Sequence, residues 1–221
     1  MVDKQHMEDL RHIRGVMDRS TRFLSLSGLS GVWAGVVALA GALAAQQHHQ
    51  LLYEATRRMD PLDDHAQWNN GGTWSEHITF LLGDATLVLI LAVAGAWWFT
   101  WRRGRKTGEG IWDPSARRLL LNLFLPLAAG GAFCLALLYH GDVMLVAPAT
   151  LVFYGLALIN ASKYTLNEIR WLGIGQMLLG ILSAFWLGSG LMFWALGFGV
   201  LHILYGSLMY IRHERSPHAG Q

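Results

Sequence analysis

Cysteine and charge are both scarce in this sequence. A single cysteine, Cys134, lies within an apolar run, so no intramolecular disulfide can form and we assign it a packing role. Charged residues make up only 14% of the 221 residues and are gathered into a few short stretches. A soluble domain would spread them over its whole surface, so this distribution excludes an ordinary soluble protein. The formal net charge of +2 gives no bulk affinity for nucleic acid.

Sequence signatures of catalysis are absent as well. The chain contains no GxSxG, HExxH or Walker sequence, and its apolar runs hold no carboxylate pair. The longest stretch between apolar runs, residues 46–77, is too short to form a separate soluble domain. We therefore expect a protein that is not an enzyme, holds no cofactor and acts within or at a membrane.

Long apolar runs are what the sequence has in abundance. The 23 residues from Phe23 to Ala45 carry no charge, and about 20 apolar residues suffice to cross a bilayer as a helix. This run exceeds the roughly 7–15 residues of a signal-peptide core, so we expect it to be retained. The pattern predicts an all-α polytopic membrane helix bundle with six spans, at about 23–45, 78–100, 119–140, 143–161, 171–188 and 190–211.

Polar segments flank and connect these spans. Residues 1–22 carry apolar side chains at helical spacing among basic ones, which predicts an interfacial helix on the headgroup layer, with a partner-binding helix as the alternative. Residues 212–221 form a short polar tail. Fifteen of the 17 Lys and Arg residues lie on one side of the predicted spans, and only Arg57 and Arg58 lie on the other. The positive-inside rule therefore predicts that both termini are cytoplasmic.

A basic cluster lies between the second and third predicted spans. Basic residues in such a position meet anionic lipid on the cytoplasmic side far more often than they meet nucleic acid. We therefore expect the bilayer headgroups to be their partner. The cluster consists of Arg102, Arg103, Arg105, Lys106, Arg117 and Arg118.

Small residues recur at helical spacing in the first and last spans. Ser27, Gly31 and Gly35 fall four apart in the first, and Gly199 and Gly206 lie on one face of the last. Small residues at this spacing let helix backbones approach closely in lipid. We interpret both stripes as helix-packing faces within one chain, with homodimerisation as the alternative for the first span.

Two ionisable residues lie at membrane depth, well inside the predicted spans: Asp84 in the second and His202 in the sixth. Such residues are costly in a membrane and are functional candidates by default. His202 has three interpretations: a hydrogen-bonded structural histidine, an axial haem or chlorin ligand, or a member of a proton relay. No other span offers a histidine at similar depth, which weighs against a haem held by two histidines. Gln176, Asn122 and Asn160 fit hydrogen bonds between helices.

The predicted outer loop, residues 46–77, combines histidines with carboxylates. Its histidines are His48, His49, His65 and His77. Imidazole and carboxylate groups are ordinary metal ligands, but their spacing here matches no zinc motif. We therefore predict a solvated acidic loop rather than a metal site.

Residues 17–42, MDRSTRFLSLSGLSGVWAGVVALAGA, resemble the opening of a family of uncharacterised bacterial six-transmembrane-helix membrane proteins. Members of that family begin with a similar Met-x-Arg-Ser-Thr-Arg-Phe and Leu-Ser-Gly-Leu-Ser-Gly stretch. The resemblance is sharpest over these 26 residues and extends loosely over the spans. It implies a location in the bacterial cytoplasmic (inner) membrane and supplies no catalytic residues.

These observations favour a non-catalytic accessory subunit, packed against other membrane subunits of a respiratory or photosynthetic type of complex. The chain has ten tryptophans, and tryptophan is enriched both at membrane interfaces and at protein interfaces. A small transporter or membrane sensor that uses Asp84 and His202 in the bundle interior is the first alternative. A haem-binding membrane protein is the second.

Overall fold

The computed structural model describes residues 26–59, 71–107 and 114–215, and the predicted interfacial helix over 1–22 lies outside them. All regular structure within the described ranges is helical, which confirms the all-α prediction. Three 3-10 turns, at Val143–Leu145, Ser162–Tyr164 and Leu187–Ser189, separate some of the helices. The α-helices are α1 Gly28–Met59, α2 Gly71–Thr107, α3 Pro114–His140, α4 Val146–Ala161, α5 Asn167–Phe185, α6 Gly190–Trp194 and α7 His202–His213, and a π-helical segment, Ala195–Leu201, joins α6 to α7.

Among the described residues, five helical stretches are long and apolar enough to cross a membrane. This finding supports a multi-pass membrane protein. Helix α5 is not among the five, because its first turn carries Glu168 and Arg170 and its middle carries Gln176. The five stretches are Gly28–Ala55, Ser75–Lys106, Pro114–His140, Val143–Tyr164 and Leu187–His213.

Helices α1 and α2 continue well beyond the predicted spans. Helix α1 extends to Met59 and α2 begins at Gly71, so most of the predicted outer loop is helical instead. Residues 46–59 contain neither glycine nor proline and are rich in good helix formers, so nothing in the sequence ends the helix where it leaves the apolar region. The expectation of a loop over residues 46–77 is therefore wrong for most of that range.

The helices form a row of neighbours. Helices α6 and α7 and the π segment between them form one continuous rod. The order of neighbours along the row is α2, α1, this rod, α5, α4 and α3, and each packs on the next. The two helices at the ends of the row are the least buried. Only 6% of the most apolar part of α2 and 11% of that of α3 is buried, against 44% for α1. Helices α2 and α3 therefore turn most of their apolar surface outward.

Glycines allow the closest helix crossings. A Cβ atom added to Gly206 on α7 would lie 2.6 Å from the backbone nitrogen of Val32 and 2.7 Å from the carbonyl oxygen of Gly28. Between α4 and α5, a Cβ on Gly155 would lie 2.6 Å from the carbonyl oxygen of Gly173, and a Cβ on Gly173 2.8 Å from that of Gly155. At both crossings backbone meets backbone, so no side chain can be added without separating the helices.

A tight turn joins α3 to α4. Gly141 has a φ of +84°, its N–H donates to the carbonyl of Leu138, and the N–H of Asp142 donates to that of Leu137. This is the Schellman arrangement, which favours glycine at the left-handed position. Near the other end of the hairpin, the Asn160 amide donates to the Asn122 carbonyl at 2.9 Å. The two helices therefore run antiparallel, with a polar link between them.

The beginning and the end of the described chain meet at one end of the bundle. The carboxylate of Glu214 accepts hydrogen bonds from the Gly28 N–H at 2.5 Å and from the Ser27 hydroxyl at 3.2 Å. It also pairs with Arg103 at 3.3 Å, and Arg103 donates to the carbonyl of Leu26. This group, the Glu214 clasp, fixes the start of α1, the end of α2 and the end of α7 together. We call this the clasp end of the bundle, and the end that carries Gly141 the turn end.

A second ion-pair group lies at the N-terminus of α5. Glu168 accepts from Arg212 at 3.4 Å and lies 3.2 Å from the ring Nε2 of His213, so it links α5 to the last turn of α7. Burial raises the pKa of the Glu168 carboxyl, but hydrogen bonds from its own backbone N–H, from His213 and from Arg212 outweigh that effect. The net result holds the pKa of Glu168 below its ordinary value of 4.5.

This lowered pKa predicts a stability difference that depends on pH. A carboxyl with a depressed folded-state pKa stabilises the fold fully above its unfolded pKa, and this contribution is lost as the pH falls through the folded pKa. We expect wild type to unfold at a higher temperature than Glu168→Gln at pH 7, with the gap shrinking progressively below about pH 4.5. Thermal unfolding in detergent at a series of pH values measures it. A gap that stays constant over that series would contradict the assignment.

Candidate functional site

A buried polar cluster surrounds His202. The ring Nε2 of His202 lies 2.9 Å from the hydroxyl of Tyr154 on α4. The ring Nδ1 lies 3.1 Å from the carbonyl oxygen of Gly197 and 3.3 Å from the side-chain nitrogen of Gln176 on α5. His202 is 5% exposed and Gln176 is fully buried. Three neighbouring elements of the row thus contribute side chains to one enclosed group.

The π-helical segment shapes this cluster. It ends directly before His202 and contains Gly197 and Gly199, both buried. A Cβ on Gly197 would collide with Gln176 Oε1 and with Leu151, and a Cβ on Gly199 would collide with Leu39. The glycines therefore let the widened helix approach its neighbours closely. Single π-helical turns within α-helices occur frequently at functional sites.

The surroundings of His202 favour one tautomer. A proton on Nδ1 donates to the Gly197 carbonyl, and Nε2 then accepts from the Tyr154 hydroxyl. Both ring nitrogens are engaged in this arrangement, and the ring stacks on Phe198 with 12° between the planes. An axial haem ligand needs one ring nitrogen directed at the iron. The geometry therefore favours a hydrogen-bonded histidine over a haem ligand.

Two polar atoms near the cluster have no hydrogen-bond partner within the described part of the chain: Gln176 Oε1 and Ser183 Oγ. Both residues are fully buried and lie on the same side of α5, with Gly180 between them. An unpartnered buried polar atom costs about 1–3 kcal/mol. The cost of this unpartnered oxygen therefore offsets part of what Gln176 contributes to stability by packing in the cluster.

Two substitutions separate the roles of these side chains. Tyr154→Phe removes the partner of His202 Nε2 and is expected to lower the free energy of unfolding by about 1–2 kcal/mol. Gln176→Leu removes the unpartnered oxygen at similar volume, together with an amide nitrogen that faces the protonated Nδ1 of His202 and so gains no hydrogen bond from it, and we expect a change within about 1 kcal/mol. Thermal unfolding of the two purified variants measures both effects. A larger loss from Gln176→Leu than from Tyr154→Phe would overturn this ranking.

Asp84 lies elsewhere in the molecule. Its carboxylate faces Gly41 of α1, where an added Cβ would lie 3.2 Å from Oδ2. It also lines a cavity of about 530 Å³ that we call the turn-end cavity. His202 does not line this cavity. The two intramembrane candidates are therefore not brought together, and the geometry gives no support to a single central site that uses both.

The histidines of α1 and α2 gather beside the same cavity. His49 and His77 line it, and His48 stacks on Phe80, with the ring centroids 3.9 Å apart. His77 lies 5.5 Å from both His48 and His49, measured between ring centroids. Within residues 26–59, 71–107 and 114–215, no three metal-binding side chains are placed to hold an ion together, and His65 lies outside those ranges.

The basic cluster is divided by the fold. Arg103 turns inward to the Glu214 clasp, where only 15% of its side chain is exposed. Arg105 lies over the ring of Trp101, with its guanidinium carbon 4.9 Å from the ring centroid. The exposed members of the cluster are Arg102, Arg105, Lys106, Arg117 and Arg118.

Sequence reasoning missed part of the buried cluster. Gln176 stands out as a polar residue within an apolar run, and its helix-to-helix contact was expected, but its partner His202 was not. Tyr154 carries no comparable signal, because its large aromatic body fits an apolar run. Gly197 resembles the other glycines of its span until the π-helical segment is known.

The comparisons with known proteins add no relative. The chain matches no protein-family model, no curated protein and no solved structure at a significant level. The resemblance of residues 17–42 to a bacterial six-span family therefore stays a prediction, and most of its defining motif precedes the described residues.

Proposed function

We propose that this chain is a six-span, non-catalytic subunit of a larger membrane assembly in the bacterial inner membrane. The observation that carries the proposal is the exposure of α2 and α3. Each has one principal helix neighbour in the row, and each turns a broad apolar face outward. Lipid or protein can cover such a face, and the tryptophan content favours protein over part of it.

The span that this proposal adds to the five is α5, the fifth in chain order. Its 19 residues extend for about 28 Å at 1.5 Å per residue, close to the thickness of about 30 Å of a bilayer's hydrocarbon core. Its polar first turn reaches the clasp end, where Glu168 pairs with Arg212. Close packing on α4 through Gly173 and Gly155 fits a helix that lies beside the other spans.

Both termini are cytoplasmic in this proposal. Residues 26–28 and Glu214 meet at the clasp end, so the described chain begins and ends on one side. By the sequence, 15 of the 17 Lys and Arg residues belong to the segments predicted for that side, five of them outside the described residues. An excess of this size agrees with the positive-inside rule and supports contact with anionic headgroups there.

The outward face of α2 is the strongest candidate for a partner contact. Its side chains form a continuous apolar stripe that ends in two tryptophans. Because the described part of α2 packs principally on α1, most of this stripe faces away from the bundle. Its large exposed members are Leu82, Leu87, Leu89, Ile90, Leu91, Val93, Trp97 and Trp98.

A steric wedge tests this proposal. Ala94 is exposed on α2 and Ala132 is exposed on α3. Fluid lipid accommodates a tryptophan at either position, whereas a packed protein interface does not. We expect Ala94→Trp or Ala132→Trp to release stoichiometric partners during mild-detergent purification while the variant keeps its thermal stability. Retention of every partner by both variants would contradict partner contacts at these faces.

A further inference from the structure

The ionisable and amide side chains that line the turn-end cavity all come from α1 and α2, and the lining residues from the rest of the described chain are apolar except for Thr150. Helices α1 and α2 supply the polar wall with Gln46, His49, His77 and Asp84. Its volume of about 530 Å³ falls within the range of roughly 300–1,000 Å³ typical of small-molecule sites. The α3–α4 hairpin and residues 187–194 supply the apolar wall, which includes Leu138, Val146, Ala147, Leu187, Leu191 and Trp194.

The only ionisable side chains that line the cavity among the described residues are one carboxylate and two histidines. Asp84 is the only carboxylate that lines it, and no lysine or arginine does so within the described residues. Asp84 forms no ion pair with any described residue. A carboxylate among apolar side chains is stabilised by a nearby cation, and the attraction is strengthened where water is excluded. The cavity therefore favours a positively charged ligand.

The apolar side chains of the cavity favour a ligand with a hydrocarbon part. Trp194 lines the cavity, and its ring packs on that of Phe198, with the ring centroids 4.9 Å apart. An indole face attracts organic cations as well as hydrocarbon. Inorganic cations would gain little from the apolar wall, and the described residues offer no three-ligand metal group. The cavity therefore favours a ligand that carries both a hydrocarbon part and a positive charge.

We propose that the turn-end cavity binds a monovalent lipophilic organic cation. Asp84 neutralises the charge, Trp194 covers an aromatic or alkyl face, and the hairpin wall buries the rest of the hydrocarbon. The role of His49 and His77 is to close the polar wall. This site goes beyond the proposed subunit function and does not depend on it, because every residue that forms it belongs to this chain.

The test uses a pair of ions of similar shape and opposite charge. Tetraphenylphosphonium is titrated into the full-length detergent-purified chain by equilibrium dialysis, and tetraphenylborate serves as the anionic control. We expect saturable binding of one cation per chain and no saturable binding of the anion. Asp84→Asn should weaken cation binding at least about tenfold, since it removes the only carboxylate that lines the cavity within the described residues. The matched control is Asp142→Asn, an exposed carboxylate at the turn end that does not line the cavity, and it should bind as wild type does.

Three results would overturn the proposal. They are the absence of saturable cation binding, equal binding of the two ions, and undiminished binding by folded Asp84→Asn. If Asp84→Asn does not fold, Trp194→Leu replaces it as the deciding variant. Loss of the indole face should weaken cation binding about threefold or more, and unchanged affinity in that variant would equally contradict the site.

Discussion

Replacing Gly206 by leucine is expected to cause the largest loss of stability of any single substitution considered. A Cβ atom alone at this position would lie 2.6 Å from the backbone nitrogen of Val32 and 2.9 Å from the carbonyl carbon of Gly31. Backbone cannot rotate away as a side chain can, so α1 and α7 must separate. Overpacking in a close-packed interior costs about 1–3 kcal/mol, and we expect Gly206→Leu to reach or exceed the upper figure.

The control for this prediction is a helical glycine that faces open space. A Cβ on Gly131 of α3 would meet no atom within 4 Å. Gly131→Leu should therefore leave stability unchanged or raise it slightly, because leucine favours helix more than glycine does. Thermal unfolding followed by size-exclusion chromatography in detergent measures both variants. Equal midpoints for the two would mean that the α1–α7 crossing is not as close as described.

Removing the carboxylate of Glu214 is expected to have the second largest effect. Glu214 accepts from Gly28 and Ser27 and pairs with Arg103, so Glu214→Ala removes the contacts of one carboxylate to the start of α1 and to the end of α2 at once. Only 14% of the Glu214 side chain is exposed, so water replaces these contacts poorly. A hydrogen bond to a charged group contributes about 1.5–3 kcal/mol, and we expect a loss of about 3 kcal/mol.

A surface pair near the same end serves as the comparison. Arg212 is 59% exposed and lies 3.4 Å from Glu168. Exposed ion pairs contribute about 0–1 kcal/mol, so Arg212→Gln should change the unfolding midpoint only slightly. Chemical unfolding of both variants in mixed micelles measures the difference. Similar losses from Glu214→Ala and Arg212→Gln would show that the clasp does not hold the bundle together.

Hydropathy and helical periodicity predicted helices and faces, but not neighbours. Gly31, Gly35 and Gly206 were recognised as packing residues because small residues recur at helical spacing. Periodicity identifies the face that a residue occupies and gives no information about the helix opposite it. The close approach of Gly155 to Gly173 therefore had no sequence signal of its own: Gly173 shares a face of its helix with Gly180, but nothing in that spacing indicates Gly155 as the residue opposite.

For the candidate sites too, the sequence identifies single residues but not the residues that surround them. Asp84 and His202 were identified because charge and imidazole are rare within apolar runs. The side chains around each one come from helices far apart in the chain, as Tyr154 and Gln176 do for His202. The π-helical segment before His202 had no signal either, because its glycines resemble those of an ordinary packing face.

Identification of the chain's neighbours in its own membrane tests the central claim most directly. The tagged protein is extracted from its native membrane in a mild detergent, and all proteins that co-purify in stoichiometric amount are identified by mass spectrometry. The account predicts one or more integral membrane partners that remain bound to wild type and are lost from Ala94→Trp or Ala132→Trp. A single monodisperse species with no stoichiometric partner would contradict the proposal that this chain is a subunit of a larger assembly.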